Sequence, residues 1–174
     1  GNNTYRVRAG RIIDHVIEWA AHNRWRIPEH FKSDWSLDLE CNADKKDDQF
    51  KPYGATPGHG IEWARLIVQW ALSSFANRDG ARPYIDAAEH LFARAVDDAW
   101  NADGAEGLVY TTDWNGTPVV TDRMRWTAAE SLNTAATLHA ATGEERYANW
   151  YATFARYVDE HVIDHEGGSW FHQL

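Results

Sequence analysis

The chain has 174 residues, of which 44% are hydrophobic and 25% charged. This composition is typical of a globular protein that buries about two thirds of its unfolded surface, so one domain over residues 1–174 is the default expectation. The net charge is −9, and the 17 Lys and Arg residues are scattered among acidic ones. A nucleic-acid partner is therefore not expected.

The chain has no apolar stretch of the roughly 20 residues that a membrane span needs, so no membrane association is expected. Gly1 stands in place of an initiator Met and no leader follows, which indicates a cut or an expression boundary and no signal peptide. Cys41 is the only cysteine. This excludes an internal disulfide and a multi-cysteine zinc site, and it fits a reducing, cytoplasmic compartment.

The first half of the chain predicts two helices separated by a loop. Apolar residues recur at helical spacing on one stripe of residues 5–22, which predicts an amphipathic surface helix. Residues 26–50 lose this period, and we expect short strands and an exposed loop there. Thr56 offers a helix N-cap and Pro57 fits the first helical position. The helix predicted at 58–75 is apolar on nearly every face and is expected to be buried.

The middle of the chain predicts a surface helix and a β-hairpin. Pro83 is expected to open the helix, whose apolar stripe includes Ala88 and Leu91 and whose other side is charged. Residues 108–112 and 117–121 are rich in β-branched residues. They flank an Asn-Gly turn signal, which predicts two antiparallel strands.

Two further helices are predicted at 123–142, ending at Gly143, and at 144–163, followed by an extended segment at 167–174. The order of buried and surface helices with a hairpin between them suggests a helical toroid, although the sequence shows no strict internal repeat. The predicted fold class is all-α with small β-hairpins. In such a toroid the first turns of the inner helices, and the loops before them, line the central cavity.

The first candidate for chemistry is His59, in the first turn of the helix predicted at 58–75. Glu62 lies three residues further on, over the same helix face. The helix dipole favours a neutral imidazole and an ionised Glu62 favours the protonated form, so the ring is expected to titrate near neutrality, as a general acid or base must. Alternatives are a histidine that only caps or packs, and a metal site. The metal site lacks an HExxH run or a second histidine at helical spacing.

The second candidate is one polar face of the helix predicted at 123–142. Trp126 on this face could stack on a pyranose, and Glu130 could hydrogen-bond its hydroxyls. The same face could instead be a solvated surface with one exposed Trp. The residues that share it are Arg123, Trp126, Glu130, Asn133 and Thr137.

The third candidate is the C-terminal run GGSWFHQL. Alternation in an extended segment places Trp170 and His172 on one side and Phe171 on the other. Spacing does not distinguish His172 from His161 and His165, and each of the three could also be a surface or core residue.

The chain is similar to the N-acylglucosamine 2-epimerase superfamily, and within it to the aldose-ketose isomerase branch of mannose and sulfoquinovose isomerases. The resemblance covers nearly the whole chain and is carried, in order, by the runs PEHFKSDW (28–35), KPYGATPGHGIEWARL (51–66), RMRWTAAE (123–130) and SWFHQL (169–174). Members are (α/α)6 barrels about twice this length. The resemblance therefore implies a partial barrel, the C-terminal half of the toroid.

The resemblance implies catalysis by two histidines that open the sugar ring and transfer a proton through a cis-enediol. His59 and His172 occupy these positions, with His172 expected to act as the base at C2, His59 as ring opener and Glu62 as the residue that orients His59. Arg123, Trp126, Glu130, Trp170, Gln49 and Glu29 are expected to contact the sugar. No cofactor or metal is expected.

The resemblance also implies a substrate class and a partner. Gln49 stands where the sulfoquinovose branch has an additional Arg, which favours mannose or a related neutral aldose such as lyxose. Family residues from N-terminal helices are not in this sequence, so the chain alone is expected to have little activity and to associate with itself or with an N-terminal half. Alternatives are a sugar 2-epimerase, a non-catalytic carbohydrate-binding half-barrel, and a glycosidase or lyase that uses Glu62 and Glu130.

Overall fold

The computed structural model describes residues 3–48 and 51–174, which form five α-helices and two short hairpins; the predicted sugar contact Gln49 lies outside them. The fold class predicted from the sequence, all-α with small hairpins, is confirmed. The helices are α1 (Asn3–His22), α2 (Pro57–Ser74), α3 (Arg78–Ala99), α4 (Arg125–Thr142) and α5 (Glu145–Tyr157), and the strands are β1 (Thr111–Thr112), β2 (Pro118–Val120), β3 (Ile163–Asp164) and β4 (Ser169–Trp170).

The core forms where α2 packs between α3 and α4. Ile61, Ile67 and Val68 of α2 are fully buried, as is Phe154 of α5. The α4 side of this contact includes Thr134, whose hydroxyl donates to the carbonyl of Ile61 at 2.9 Å. Small and hydroxylated residues on α4 allow the two helices to approach closely because their polar atoms are satisfied by backbone carbonyls.

The first hairpin fixes the entrance of α2. β1 and β2 pair antiparallel around the predicted Asn-Gly turn, although a register irregularity after Thr111 makes both strands shorter than predicted. The backbone of Thr112 exchanges hydrogen bonds with Ala55, two residues before α2 begins, at 2.9 and 3.0 Å. The hairpin and the first turn of α2 are therefore held together.

The start of α3 differs from its prediction. The helix begins at Arg78, and Pro83 lies inside it. The side chain of Asn77 accepts a hydrogen bond from the backbone of Gly80 at 3.0 Å, so Asn77 is the N-cap. The predicted start at Pro83 is therefore wrong. The predicted amphipathic character of α3 is confirmed, since Ala88 and Leu91 of its apolar stripe are fully buried while the side chain of Asp86 is partly exposed.

The structure of the segment before α2 also differs from its prediction. Within the described part of residues 26–50, the predicted strands are wrong, since the backbone forms turns and a single isolated bridge between Phe31 and Leu37. A single bridged pair of residues does not form a strand. The bridge closes a tight loop after Glu29.

The end of α4 and the course of α5 follow the sequence closely. Gly143 ends α4 in the left-handed region, with φ of 74°. α5 continues into one π-helical turn (Val158–Val162). Tyr147 and Phe154 of α5 are buried in the core, whereas Tyr151 is exposed.

α2 is not buried on all sides, contrary to its prediction. Leu66 is 36% and Leu72 44% exposed, and Ile12 of α1 is 56% exposed. α1 is amphipathic as predicted, but it covers only part of α2, so a groove of about 430 Å³ with Trp63 and Trp70 in its lining remains between the two helices. Among the described residues, no helix is both long and apolar enough to cross a bilayer.

Candidate active site

His59 lies in the first turn of α2, as predicted. Pro57 occupies the first helical position after Thr56, and the backbone N–H of His59 donates to the carbonyl of Thr56 at 2.9 Å. The side chain of Thr56 makes no capping hydrogen bond. The imidazole is therefore presented at the N-terminal end of the helix, with its side chain 38% exposed.

The residue that orients His59 is Glu29. Nδ1 of His59 lies 2.7 Å from Oε1 of Glu29, whose side chain is 23% exposed. The prediction that Glu62 orients the ring is wrong, because the neighbouring loop brings Glu29 directly onto Nδ1. Glu62 acts on His59 only through its charge.

The environment of His59 raises its pKa above the ordinary value. Burial is the largest influence and lowers the pKa, but the hydrogen bond to Glu29 and the negative charges of Glu29 and Glu62 together outweigh it. The two carboxylates thus stabilise the imidazolium. The ring is thus able to exchange a proton near neutral pH.

The hydrogen bond with Glu29 also fixes the tautomer of His59. An ionised carboxylate can only accept, so Nδ1 is the nitrogen that carries the proton. In the neutral imidazole Nε2 then has the free lone pair. A proton taken from a substrate, or returned to it, passes through Nε2.

Trp126 forms one wall beside His59. The two rings stack with centroids 5.1 Å apart and planes at 30°, and Tyr110 meets the indole edge-on at 6.4 Å. Burial, followed by the charge of Glu29, raises the pKa of Tyr110. The predicted sugar platform is therefore occupied on one side by the imidazole, and Trp126 restricts where His59 can move.

Replacing Gly58 by Ala is expected to disturb this stack. An added Cβ would lie 2.7 Å from Cη2 of Trp126 and 2.6 Å from Cγ2 of the buried Thr127. We expect a loss of about 1–3 kcal/mol in the free energy of unfolding, typical of overpacking. Urea denaturation measures the loss, and the near-UV circular dichroism of the tryptophans is expected to change with it.

Gly60→Ala is the matched control, two residues further along the same helix. Its Cβ would meet only the Cβ of Ala95 at 3.4 Å and the carbonyl of Leu91 at 3.8 Å. Because Ala is the better helix former, this variant is expected to be as stable as the original or more stable. Equal destabilisation by the two substitutions would show that the contact with Trp126 does not restrict Gly58.

The C-terminal segment places His172 beside the start of α4. The backbone N–H of Arg125 donates to the carbonyl of His172 at 3.2 Å, and Arg123 and Leu174 exchange two backbone hydrogen bonds of 3.0 Å. Trp126, the next residue along from Arg125, stacks on His59. The backbone of His172 and the ring of His59 are therefore both located around the first turn of α4.

The two other C-terminal histidines lie in different surroundings. Nε2 of His161 is 3.7 Å from a carboxylate oxygen of Glu106, and Nε2 of His165 is 3.5 Å from one of Asp159. Neither contact includes a residue of the His59 cluster, which consists of His59, Glu29, Trp126 and Tyr110. Of the three C-terminal histidines, His172 is the one whose backbone binds α4 next to this cluster.

Glu130 lies on α4 one turn beyond Trp126 and is engaged by Arg65 of α2. Nε and Nη2 of Arg65 donate to the two carboxylate oxygens at 2.8 and 3.0 Å, and both side chains are about four-fifths buried. Such a bidentate pair fixes the orientation of the Glu130 carboxylate. A glycosidase pair formed by Glu62 and Glu130 is disfavoured, because both carboxylate oxygens of Glu130 already accept hydrogen bonds from Arg65.

Arg123 does not share a helix face with Trp126. α4 begins two residues later, and the guanidinium donates two hydrogen bonds to Asp103, at 2.5 and 2.6 Å, with further bonds to backbone carbonyls. The hydrogen bonds from Arg123 hold the pKa of Asp103 far below its usual range. The donors of Arg123 are used within the protein, which argues against the predicted sugar contact.

Trp170 packs against a small apolar cluster and not, as predicted, beside His172 in a sugar pocket. This cluster has Ala128, Tyr157, Val158 and Val162 as its buried members. The hydrogen bond from Phe171 to the carbonyl of Val162, at 2.8 Å, continues the pairing of β3 with β4, and the backbone bends at His172. The extended segment on which the pairing of Trp170 with His172 relied therefore ends before His172.

One group of side chains has metal-ligand spacing in the described part of the chain. Ligand atoms of Glu106, Glu160 and His161 lie within 4.8 Å of one another. Arg156 already bridges the two carboxylates, and it pairs with Glu160 at 2.7 Å. A cation would have to displace the guanidinium, so this arrangement is an ion-pair network.

Residues 1–174 match the model of the N-acylglucosamine 2-epimerase (GlcNAc 2-epimerase) family. The chain belongs to this family. The sequence resemblance is thereby confirmed.

Curated members of the N-acylglucosamine 2-epimerase family include close relatives of the chain. It is 42% identical over 175 aligned residues to a D-mannose isomerase of Thermobifida fusca, covering 100% of this chain and 42% of that protein. It is 41% identical to a D-mannose isomerase of Pseudomonas cannabina pv. alisalensis, covering 96% of this chain and 41% of that protein. The chain thus spans about two fifths of the length of these relatives.

Solved structures of the family show the same fold. A crystal structure of D-mannose isomerase matches 99% of this chain and 43% of its own, with a TM-score of 0.91 and 31% identity. A sugar epimerase from a ruminal bacterium matches with a TM-score of 0.73 at 17% identity, which shows the fold alone. The chain is therefore a part of an (α/α)6 barrel, as predicted.

Two residues of the site were missed from the sequence. Arg65 was not singled out, although it stands three residues after Glu62 on an otherwise apolar helix, where an isolated charge signals a paired or functional group. Tyr110 was assigned to a hairpin strand without a role. Its approach to Trp126 depends on the packing of the hairpin on α4, which spacing in the sequence does not reveal.

Proposed function

We propose that this chain carries the proton-transfer residues of a sugar aldose-ketose isomerase of the D-mannose isomerase type. The observation that carries the proposal is the pairing of His59 with Glu29, next to Trp126 and to the backbone of His172. A histidine with a carboxylate on Nδ1 and a free Nε2 is suited to general acid-base chemistry. The identity of 42% to a D-mannose isomerase supports the choice of reaction.

The proposed mechanism begins with ring opening by His59. Its neutral Nε2 accepts the proton of the anomeric hydroxyl. A proton from the solvent adds to the ring oxygen as the bond between C1 and the ring oxygen breaks. Glu29 stabilises the imidazolium that forms, through Nδ1. The product of this step is the open-chain aldose.

Proton transfer between carbons follows. His172 acts as the base that removes the proton from C2, while the C1 carbonyl oxygen accepts a proton from the imidazolium of His59, which gives a cis-enediol. His59, now neutral, then accepts the proton of the C2 hydroxyl while the protonated His172 returns its proton to C1, which gives the ketose. The net change is one proton moved from C2 to C1 and one from O2 to O1.

The sugar is proposed to be mannose or a related neutral aldose. Among the predicted sugar contacts, Trp126 and Glu130 keep this role in the proposal, because both lie on α4 near the end that contacts His59. The hydrogen bonds from Arg65 leave further lone pairs on the carboxylate oxygens of Glu130, which can accept from a sugar hydroxyl. Glu29 is reassigned to His59. Arg123 and Trp170 are removed from the proposed pocket because their side chains are used elsewhere.

The open face between α1 and α2 is proposed to be covered by helices equivalent to the rest of the relatives' barrel. Leu66 and Leu72 expose apolar surface along α2, beside the groove lined by Trp63 and Trp70. Exposed apolar patches of this kind mark association surfaces. The matched part is 43% of the solved D-mannose isomerase chain, which supports the choice of partner.

A chimera tests both proposals. In it, this chain replaces the matched part of the Thermobifida fusca D-mannose isomerase, to which it is 42% identical over its whole length. The chimera and the chain by itself are incubated with D-mannose, and the products are identified by carbon-13 NMR. We expect fructose from the chimera and little turnover from the chain by itself.

Each other outcome decides between the alternatives. Glucose, the C2 epimer of mannose, as the main product would assign the site to 2-epimerisation. Binding of mannose without any product would favour a non-catalytic carbohydrate-binding role. Equal turnover by the isolated chain and the chimera would contradict the proposal that other helices complete the site.

A further inference from the structure

A buried ion pair lies behind the His59 cluster. The side chains of Arg26 and Asp98 are only 5% and 6% exposed. Nε of Arg26 donates to Oδ2 of Asp98 at 2.6 Å, and Nη2 donates to Oδ1 at 2.8 Å. This bidentate geometry fixes both position and orientation of the loop relative to the last turn of α3.

The surroundings of the pair leave it little freedom. Arg94 donates to Oδ1 of Asp98 at 3.3 Å and to the carbonyl of Arg24 at 3.2 Å, which attaches the loop to α3 a second time. The hairpin turn covers the pair at Gly116, where φ is 87° and an added Cβ would lie 2.7 Å from Oδ1 of Asp98 and 3.0 Å from Nη2 of Arg26. A side chain at this turn would push the pair apart.

The pair is connected to both partners of the His59–Glu29 hydrogen bond. Glu29 follows Arg26 by three residues, and the two residues between them, Ile27 and Pro28, are buried. On the other side, Pro57 and Gly60 of the first turn of α2 line the same small cavity as Arg26 and Asp98. The ion pair therefore lies between the loop that carries Glu29 and the helix turn that carries His59.

A buried ion pair contributes little net stability compared with apolar residues of the same size, because desolvation of the two charges offsets their attraction. The pair matters more for the position of the loop that carries Glu29 than for stability. A carboxylate on a loop without regular secondary structure must remain within hydrogen-bond distance of His59, and small displacements of catalytic groups cost large factors in rate. A rigid link three residues away meets this requirement.

We propose that Arg26 and Asp98 are positioning residues, whose buried pair holds the carboxylate of Glu29 on Nδ1 of His59. The catalytic role of this arrangement rests on the proposed function. The geometry of the pair and of the His59–Glu29 contact is independent of it. Neither residue touches the reacting atoms. Their effect is transmitted through Ile27 and Pro28 to Glu29.

The test is the Arg26→Lys variant of the 174-residue chain. Lysine keeps the positive charge but loses the bidentate geometry. The imidazole of His59 is titrated by NMR. The charged groups that act on it are Glu29 and Glu62, and Tyr110 contacts the neighbouring Trp126. We expect the His59 pKa to fall by roughly half or more of the fall produced by Glu29→Gln, and Arg26→Lys to add little to it in a Glu29→Gln background.

A destabilised control separates positioning from a general loss of stability. Phe154→Leu alters the core at α5, away from His59, and is expected to lower thermal stability while the His59 titration stays unchanged. Asp98→Glu, which retains both charges, repeats the test if Arg26→Lys does not fold. An unchanged His59 pKa in the folded variants would overturn the inference, as would an additive effect in the Glu29→Gln background. A chimera that made no fructose would overturn the proposed function and leave this result intact.

Discussion

Replacement of His59 by Gln is expected to lower kcat for the conversion of mannose to fructose by about 10²–10⁴-fold in the chimera, the range that general acid-base catalysis usually contributes. Glutamine approximates the size of the imidazole, so the contact with Trp126 is largely retained. It cannot exchange a proton. KM is expected to change much less than kcat, because the lost interaction belongs to the transition state.

His172→Gln is expected to have an effect of the same order, and the double variant is expected to lose little more than either single one. Residues that act on one intermediate are not additive, since removal of the first already blocks the pathway that needs the second. The C2 proton provides a second measurement. Exchange of this proton with deuterium from the solvent is expected to stop in His172→Gln, the variant without the proposed base.

His139→Gln is the matched control for both variants. His139 lies in the last turn of α4, where Nδ1 contacts the carbonyl of Glu144 at 3.1 Å. α4 has 18 residues, so His139 is on the order of 20 Å from the end of the helix that contacts His59. We expect unchanged kcat. Full activity of His172→Gln together with loss in His161→Gln or His165→Gln would move the base to one of those residues.

The features that the sequence predicted well depend on neighbouring residues. Helix α1 follows from apolar spacing, the end of α4 from Gly143, and the hairpin from its Asn-Gly turn. Each of these signals is complete within a few residues. The position of His59 in the first turn of α2 belongs to the same class, because Pro57 marks the start of the helix.

The features that failed depend on contacts between distant segments. Glu29 and His59 are 30 residues apart, and the loop between them contains no regular period that could predict their contact. Glu62 was the natural choice from helical spacing. This choice was wrong because Glu29, on a loop, approaches Nδ1 of His59 directly. Glu62 only lies on the same face of α2 as His59.

The predictions of where α3 starts and of what Arg123 contacts were wrong for a related reason. Asn77 caps α3 six residues before Pro83, the predicted start, so periodicity detected the apolar stripe and not the helix start. Arg123 was extrapolated onto α4 by spacing, but it pairs with Asp103, which is 20 residues away in the sequence. Partner choice of this kind is set by packing, and no pattern within one element contains it.

Glu29→Gln is expected to lower the pKa of His59. Burial lowers this pKa in both proteins, but the variant loses the carboxylate hydrogen bond and charge that raise it, and only the charge of Glu62 remains. Glutamine can still accept a hydrogen bond on Nδ1, so the ring is expected to stay in place. NMR titration of His59 measures the shift in its pKa. The limb of the pH–rate profile that reports His59 is expected to move to lower pH. This direction is the same whether His59 first acts as an acid or as a base.

The same substitution is expected to make stability depend differently on pH. A histidine whose folded pKa is raised above its unfolded value contributes stability that is fully present below the unfolded pKa, about 6.5, and is lost as the pH rises through the folded pKa. The stability of the original chain relative to Glu29→Gln is therefore expected to be greater at a pH below about 6.5 than at an alkaline pH above the folded pKa of His59. Urea denaturation at the two pH values measures the difference.

Glu62→Gln is the matched control, because it removes a carboxylate whose charge acts on His59 without a hydrogen bond to it. It is expected to lower the His59 pKa by less than Glu29→Gln does and to leave the tautomer unchanged. A larger fall with Glu62→Gln would return the orienting role to the residue that helical spacing first suggested. Equal falls would mean that charge alone acts on the ring, and that the 2.7 Å contact with Glu29 does not determine how His59 exchanges its proton.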